Sequence, residues 1–313
     1  MQCFKPIQLL NPKTHTYMSV PCNKCLGCRM ARSSEWALRC LHELPYWEDS
    51  SFVTLTYAAE NLIEGNTLSK IELQLFFKRL RKNLTCKPKK KEKCAVCTNK
   101  KCKIKYYACG EYGDEKKRPH YHAIIFGISK NEHKTEKRWD NRKKKFYHIV
   151  KDGVLTDSWK NGEVQIGTVT YDSCRYVAGY LDQKLYGEKQ KQTYNKTSRL
   201  PPFQLVSAGL GLRYAVENQE QLYRQLYTTI QGVKVPIPRY YKKKLDLKAD
   251  LFESFIKNQS EKTYDNIIKK LKLNEKPKNL RSKLYHEQLI KAREQNEVSL
   301  NKRMSLKHDK KNF

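Results

Sequence analysis

Two imidazoles stand two residues apart at His120-Tyr121-His122. In an extended strand alternate side chains share a face, so both rings project together while Tyr121 points into the other layer. Paired imidazoles are half a metal site. A hairpin turning midway between Tyr112 and Pro119 sets Glu111 across from His120 on that face, where its carboxylate would be a third ligand. Arg118-Pro119 before the pair and AIIF after it place the histidines at the entrance of a core strand. A second pattern follows at Tyr176-x-x-x-Tyr180-x-x-x-Lys184. At about 3.6 residues per turn, two phenols and an ammonium align on one helical face. A phenol of pKa about 10 is a weak nucleophile at neutral pH, and a nearby cation or metal favours its phenoxide. Lys184 is either that cation or a contact to a substrate phosphate.

Together these patterns are what phosphodiester transesterification by a tyrosine requires. A divalent ion held by the imidazoles would polarise the phosphate while a phenoxide attacks phosphorus in line. The tyrosine would keep the 5′ phosphate and a 3′ hydroxyl would leave. The covalent link conserves bond energy, so a later 3′ hydroxyl can reverse the step, and a second tyrosine can attack while the first is occupied. Blander readings exist for each part: histidines decorating a half-exposed strand, and tyrosines packing on a sheet in a chain that has 20 of them.

These residues need strands and helices to hold them. Runs 105–112 (KYYACGEY) and 119–127 (PHYHAIIFG), separated by GDEKKR, read as a hairpin, and Phe52 to Tyr57 (FVTLTY) as an earlier strand. Residues 31–44 read as a helix stopped at Pro45. Ser69 caps a second helix with Ile71, Leu75, Phe76, Leu80 and Leu84 on its apolar stripe and Glu72 completing a capping box. A polar loop over 129–145 leads to short strands at 146–150 and 163–169. A helix over 171–185 carries the tyrosines, Pro201-Pro202 breaks the chain, and another helix follows in GLGLRYAVENQEQLYRQL. The segment VPIPRYYKKKL reads as extended and basic, and residues from 246 onward as a helical tail.

Lys and Arg number 63 against 32 Asp and Glu, a formal charge of +31, which points to a polyanionic partner, nucleic acid or an anionic membrane surface. Spanning a membrane is excluded for a helix: mean hydropathy is −0.82 and no apolar run approaches about 18 residues. The start, MQCFKPIQLLNPKTH, reads as no signal peptide, so a cytoplasm is expected. Lysine-rich residues 86–105 read as an insertion in which Cys86, Cys94, Cys97 and Cys102 could fold on zinc. Cys22, Cys25 and Cys28 repeat the CxxC step, with a fourth ligand available only if Cys3 or Cys40 folds back; buried thiols are the alternative. Lysines beside aromatics, as at 239–244, suit backbone contact with base stacking on single strands.

The ordered set FVTLTY, His120-Tyr121-His122 and Tyr176-x-x-x-Tyr180-x-x-x-Lys184 resembles the three motifs of the HUH endonucleases that start rolling-circle replication, although Tyr121 stands where an apolar residue is usual. With PCNKCLGCR, CGEYG, RPHYHAIIFG and YVAGYLDQK, the chain over about 20–220 more closely resembles the replication initiators of the gokushovirus group, related to the gene A protein of φX-type phages. The resemblance implies an α+β fold with a central antiparallel sheet backed by helices, Mg or Mn at His120 and His122, and Tyr176 and Tyr180 as nucleophiles. Glu111 is the third ligand on this reading, and structural Zn is an optional further ion.

The implied organisation is a cysteine-containing segment 1–50 packed on the core, an endonuclease domain 51–245 with the insertion 86–105, and a tail 246–313. The implied activity nicks the double-stranded replicative form at the origin and rejoins the displaced strand into a circle. Its partners would be single-stranded and supercoiled viral origin DNA with a host polymerase in the bacterial cytoplasm. No G-x-x-x-x-G-K-[ST] motif occurs, so unwinding would come from a host helicase. Competing readings are a noncatalytic zinc-knuckle nucleic-acid binder, an HUH transposase or relaxase, and a two-His, one-carboxylate iron oxygenase. The last gives the tyrosines and the charge no role.

Overall fold

The computed structural model describes residues 3–12, 15, 17–84, 103–113, 116–141, 144–179, 191–230, 232–246 and 283–309. Residues 33–214 form one compact unit; residues 1–32 with 215–313 form another.

In chain order the elements are β1 (Ile7–Leu10), β2 (Tyr17–Val20), α1 (Leu26–Glu43), β3 (Ser50–Thr56), α2 (Lys70–Asn83), β4 (Lys105–Tyr112), β5 (Pro119–Phe126), β6 (Lys134–Asp140), β7 (Lys145–Asp152), α3 (Val154–Ser158), β8 (Val164–Thr168) and α4 (Tyr171–Gly179). They continue as β9 (Phe203–Val206), α5 (Leu212–Glu217), α6 (Gln219–Gln225), β10 (Tyr227–Ile230), β11 (Val233–Pro236), α7 (Arg239–Lys244) and α8 (Lys283–Asp309). The fold is α+β. Its centre is a seven-stranded sheet of order β6-β7-β8-β3-β5-β4-β9, antiparallel throughout.

Strand β5 lies between β3 and β4, so its backbone is bonded on both edges and both faces are covered. That explains an apolar run, AIIF, in place of clean alternation. Tyr121, Ala123 and Ile125 enter one core with Val53, Leu55 and the α2 residues Leu73, Phe76, Phe77 and Leu80. Ile124 and Phe126 enter the opposite core with Ala37 and Cys40 of α1 and Cys174, Val177 and Ala178 of α4. The histidines share this second face.

Several elements differ from the sequence reading. Helix α1 starts at Leu26, ahead of the expected Ala31. On α2 the buried stripe is Leu73, Phe76, Phe77 and Leu80, while Ile71 is 68% exposed and Leu75 40%. Ser69 caps α2 by accepting from the Glu72 amide, but the Glu72 carboxylate accepts from the Tyr57 hydroxyl. The supposed loop 129–145 contains β6, an edge strand of charged residues held by the pairs Arg138–Glu136 and Lys151–Glu136 and by Trp139 against Phe146. Strands β1, β2, β9 and β10 and helix α3 have no counterpart in the sequence reading. GLGLRYAVENQEQLYRQL is broken into α5 and α6, and RYYKKK is the helix α7 with Lys242, Lys243 and Lys244 in its last turn.

In the second unit, Ala215, Leu222, Ile237 and Tyr241 form a small core, and β1–β2 and β10–β11 are separate two-stranded hairpins. The tail is helical over 283–309. The insertion 86–102 lies outside the described residues.

Candidate functional site

Register builds the site. Along the β4–β5 ladder Glu111 pairs with His120 and Cys109 with His122, while across the β3–β5 ladder Thr54 pairs with His122. Glu111 Oε1 lies 2.7 Å from His120 Nε2 and 3.0 Å from His122 Nε2, so both rings aim at one carboxylate oxygen. All three candidate ligand atoms fall within 4.8 Å of one another. The group is secluded: Glu111 is 7% exposed and His122 5%. Burial opposes ionisation of Glu111, but hydrogen bonds to His120 and His122 and their charge outweigh it, holding this carboxyl below its ordinary range.

The remaining ring nitrogens are also engaged. His120 Nδ1 lies 3.2 Å from the Arg118 carbonyl and His122 Nδ1 2.9 Å from Thr54 Oγ1. A carbonyl can only accept, so Nδ1 of His120 carries the proton and its neutral ring presents a lone pair at Nε2. Two such lone pairs and a carboxylate converging in a buried site call for a shared cation, and this donor set fits a divalent metal. Thr54 and Arg118 are positioning groups that sequence reasoning missed. The signal for Thr54 was its place in a strand whose partner lies far away in the chain.

Tyr176 sits beside this cluster. Its ring is edge-on to His122 at a centroid distance of 5.3 Å and to Phe52 at 6.1 Å, while Phe52 stacks on His122 at 5.7 Å. Helix α4 sets that placement. Cys174, Val177 and Ala178 are fully buried and seat the helix on the sheet. Thr170 and Ser173 exchange hydrogen bonds between side-chain oxygen and backbone amide, a reciprocal cap that fixes where α4 begins. Tyr176 lies on the flank of the helix and is 40% exposed. Tyr180 and Lys184 lie outside the described residues.

Tyr121 points to the opposite side of β5 and is fully buried. Its hydroxyl accepts from the Ser69 amide at 2.9 Å and lies 2.8 Å from the Tyr57 hydroxyl. Burial pushes the Tyr121 phenol up to about 12 and the Tyr57 phenol higher still. Of the two places from which the cysteine trio's fourth partner was expected, the structure selects Cys3, which joins Cys22, Cys25 and Cys28; Cys40 is buried in the sheet core with Cys174. Cys86, Cys94, Cys97 and Cys102 lie outside the described residues.

An α+β sheet protein with a buried two-histidine, one-glutamate cluster and a tyrosine-bearing helix against it is the class defined by this geometry. Residues 50–185, which include all six candidate site residues, match the family model for the phage replication-associated protein ORF2. The chain is 34% identical over 230 residues to replication-associated protein VP4 of Bdellovibrio phage phiMH2K, covering 71% of this chain and 65% of that protein. It is 32% identical to replication-associated protein ORF2 of Spiroplasma virus 4, covering 78% and 73%, and 28% identical to replication-associated protein ORF4 of Chlamydia phage 1, covering 77% and 55%. No solved structure matches the chain. The chain belongs to the family of phage replication-associated proteins. The matched stretch thus spans just under two thirds of the Bdellovibrio phage protein.

Proposed function

We propose that this protein initiates rolling-circle replication of a small single-stranded DNA phage. It nicks the double-stranded replicative form at the origin, keeps the 5′ phosphate on a tyrosine, leaves a 3′ hydroxyl for a host polymerase, and later rejoins the displaced strand into a circle. The observation that carries this reading is the Tyr176 ring against His122, on the face where Glu111, His120 and His122 converge.

Glu111, His120 and His122 would hold Mg²⁺ or Mn²⁺, which when bound supplies Lewis-acid polarisation of the scissile phosphate and stabilises charge developing there. Thr54 and the Arg118 carbonyl hold the imidazole rings so that Nε2 faces inward. Tyr176 Oη attacks phosphorus; the bond from phosphorus to the tyrosine oxygen forms as the bond to O3′ breaks. The phenol releases its proton to solvent and the departing 3′ oxygen gains one, so protons balance. Tyr180, four residues on, takes the second strand in the rejoining step, and Lys184 contacts the phosphate. Tyr57 and Tyr121 are poor nucleophiles because burial holds their phenols protonated. A charge of +31 supplies backbone affinity, and a host helicase supplies unwinding. The same three ligands suit an iron oxygenase, but family membership, Tyr176 and the charge favour phosphodiester chemistry.

The test uses labelled single-stranded oligonucleotides tiled across the genome that encodes the chain, incubated with protein and Mn²⁺ and run on a denaturing gel. A labelled protein band, lost with chelator and in Tyr176→Phe/Tyr180→Phe, is expected. Cleavage that leaves a free 5′ phosphate and no protein adduct, or an adduct that persists in the double variant, would overturn the reading.

A further inference from the structure

A second set of potential ligands lies outside the histidine site. Cys3, Cys22, Cys25 and Cys28 belong to the unit of residues 1–32 and 215–313, and their sulfurs all lie within 4.8 Å of one another. We propose that these four thiolates hold a structural zinc ion that clamps the N-terminal hairpin to the start of α1. This inference does not depend on the strand-cleavage reading.

The spacing of the sulfurs is the first argument. Cys3 Sγ is 3.8 Å from Cys25 Sγ, and Cys22 Sγ is 3.9 Å from Cys28 Sγ. A tetrahedron of sulfurs about 2.3 Å from a central zinc has edges of about 3.8 Å. A disulfide would bring a pair to about 2.05 Å, and all four cysteines are free thiols. The cluster therefore has the size of a four-sulfur cage around one ion.

The surrounding backbone is arranged for negatively charged sulfur. The amide of Cys22 points at Cys3 Sγ at 3.3 Å, that of Cys25 at Cys22 Sγ at 3.3 Å, and that of Phe4 at Cys25 Sγ at 3.4 Å. Asn23 takes a left-handed conformation, φ 60°, which bends the Cys22–Cys25 step into a knuckle. Cys25 directly precedes α1 and Cys28 lies in its first turn, which carries no acidic residue, so the positive end of the helix faces the sulfurs. Lys5, Lys24, Arg29 and Arg32 flank the ligands in sequence and offset the negative charge of a zinc with four thiolates.

The hairpin needs such a clamp. Strands β1 and β2 pair over four residues each with no buried side chain, and Ile7, Leu9, Leu10, Tyr17 and Met18 are all 46–76% exposed. An isolated two-stranded hairpin is marginal in water. Cys3 precedes β1 and Cys22 follows β2, so one ion ties both ends of the hairpin to α1 and its binding free energy becomes folding free energy. Four thiolates in a tetrahedron suit zinc or iron, and the proposal commits to zinc.

The experiment separates this cluster from the other candidate sites. The full chain is purified as Cys86→Ser/Cys94→Ser/Cys97→Ser/Cys102→Ser with His122→Ala, and its metal content is measured by elemental mass spectrometry. One zinc per chain is expected, falling to none when Cys25→Ala is added. Adding Cys25→His instead should retain it, and circular dichroism checks that each variant folds. Because a cysteine variant can fail to fold, the chain with all four ligands is also reconstituted with Co²⁺, where the visible bands of tetrahedral cobalt thiolate are expected. Absence of zinc together with absence of those bands overturns the proposal, as does iron in the purified chain or alkylation of all four cysteines in the native protein without metal release.

Discussion

Removing a single oxygen, in Tyr121→Phe, should destabilise the fold while leaving the histidine face of β5 untouched. Four groups form a directed chain of hydrogen bonds: the Ser69 amide donates to Tyr121, the Tyr121 hydroxyl lies 2.8 Å from that of Tyr57, and Tyr57 donates to the Glu72 carboxylate. The Tyr57 proton is directed at Glu72, so the Tyr121 proton serves Tyr57 or the Ser69 carbonyl at 3.1 Å. Without the Tyr121 oxygen, the Ser69 amide at the N-cap of α2 loses its acceptor and the Tyr57 oxygen loses a donor. A stranded buried donor costs about 1–3 kcal/mol, so the expected loss is about 2 kcal/mol, or about 4–8 °C in Tm for a cooperative unit of this size. Tyr57→Phe should cost less, about 1 kcal/mol, because Tyr121 can turn its proton to the Ser69 carbonyl and Glu72 is partly solvated. Urea denaturation of the two variants and the wild type measures both numbers. If Tyr57→Phe proves the costlier change, or Tyr121→Phe is neutral, the directed chain is wrong.

Three further outcomes are expected. Thr54→Val removes the oxygen 2.9 Å from His122 Nδ1 and should weaken Mn²⁺ binding about 10–100-fold by calorimetry, with Thr54→Ser restoring it; unchanged affinity would show that Thr54 does not orient the ring. At Gly162 an added Cβ would meet Thr56 O at 2.3 Å and Ala58 N at 2.4 Å, whereas at Gly167 its nearest neighbour is a Phe52 side-chain carbon at 3.7 Å. Gly162→Ala should therefore cost about 3 kcal/mol or more and Gly167→Ala less than about 1 kcal/mol, read as Tm or soluble yield. Burial lowers the pKa of His42 to about 4, so below about 6.5 the unfolded chain takes up a proton that the folded chain refuses. Stability from this group is intact above pH 6.5 and lost as pH falls toward 4; His42→Gln should lose about 2 kcal/mol less than wild type between pH 7 and 4.5.

Legibility in the sequence followed locality. The β4–β5 hairpin joins two apolar runs across a short polar turn, and the structure places its strands at Lys105–Tyr112 and Pro119–Phe126, with the Glu111–His120 pairing that hairpin arithmetic requires. Helix α2 was legible in its cap and extent but not in its face. Ile71 and Leu75 make one helical stripe with Phe76 and Leu80; Leu73, Phe76, Phe77 and Leu80 make another, and only contact with the sheet chooses between them. Strand β6 was hidden because KTEKRWD has no apolar face to bury and is held by ion pairs at the sheet edge. Thr54 was hidden because its partner His122 is 68 residues away.

The arrangement of β5 explains why an HYH strand can tolerate a tyrosine where an apolar residue is usual. The face bearing His120 and His122 is pinned on one edge by β4, which supplies Glu111, and on the other by β3, which supplies Thr54. The opposite face needs only a side chain that fills the layer under α2, and Tyr121 does so while its hydroxyl finds the amide at the helix cap. Backbone pairing fixes the ligand geometry, whereas the packing of α4 through Cys174, Val177 and Ala178 fixes where Tyr176 stands. Substitutions that enlarge those three residues should displace the phenol without disturbing the three ligands, so Ala178→Leu should impair covalent DNA linkage much more than Mn²⁺ binding. Equal losses of both would mean that the sheet and the helix are not separable supports.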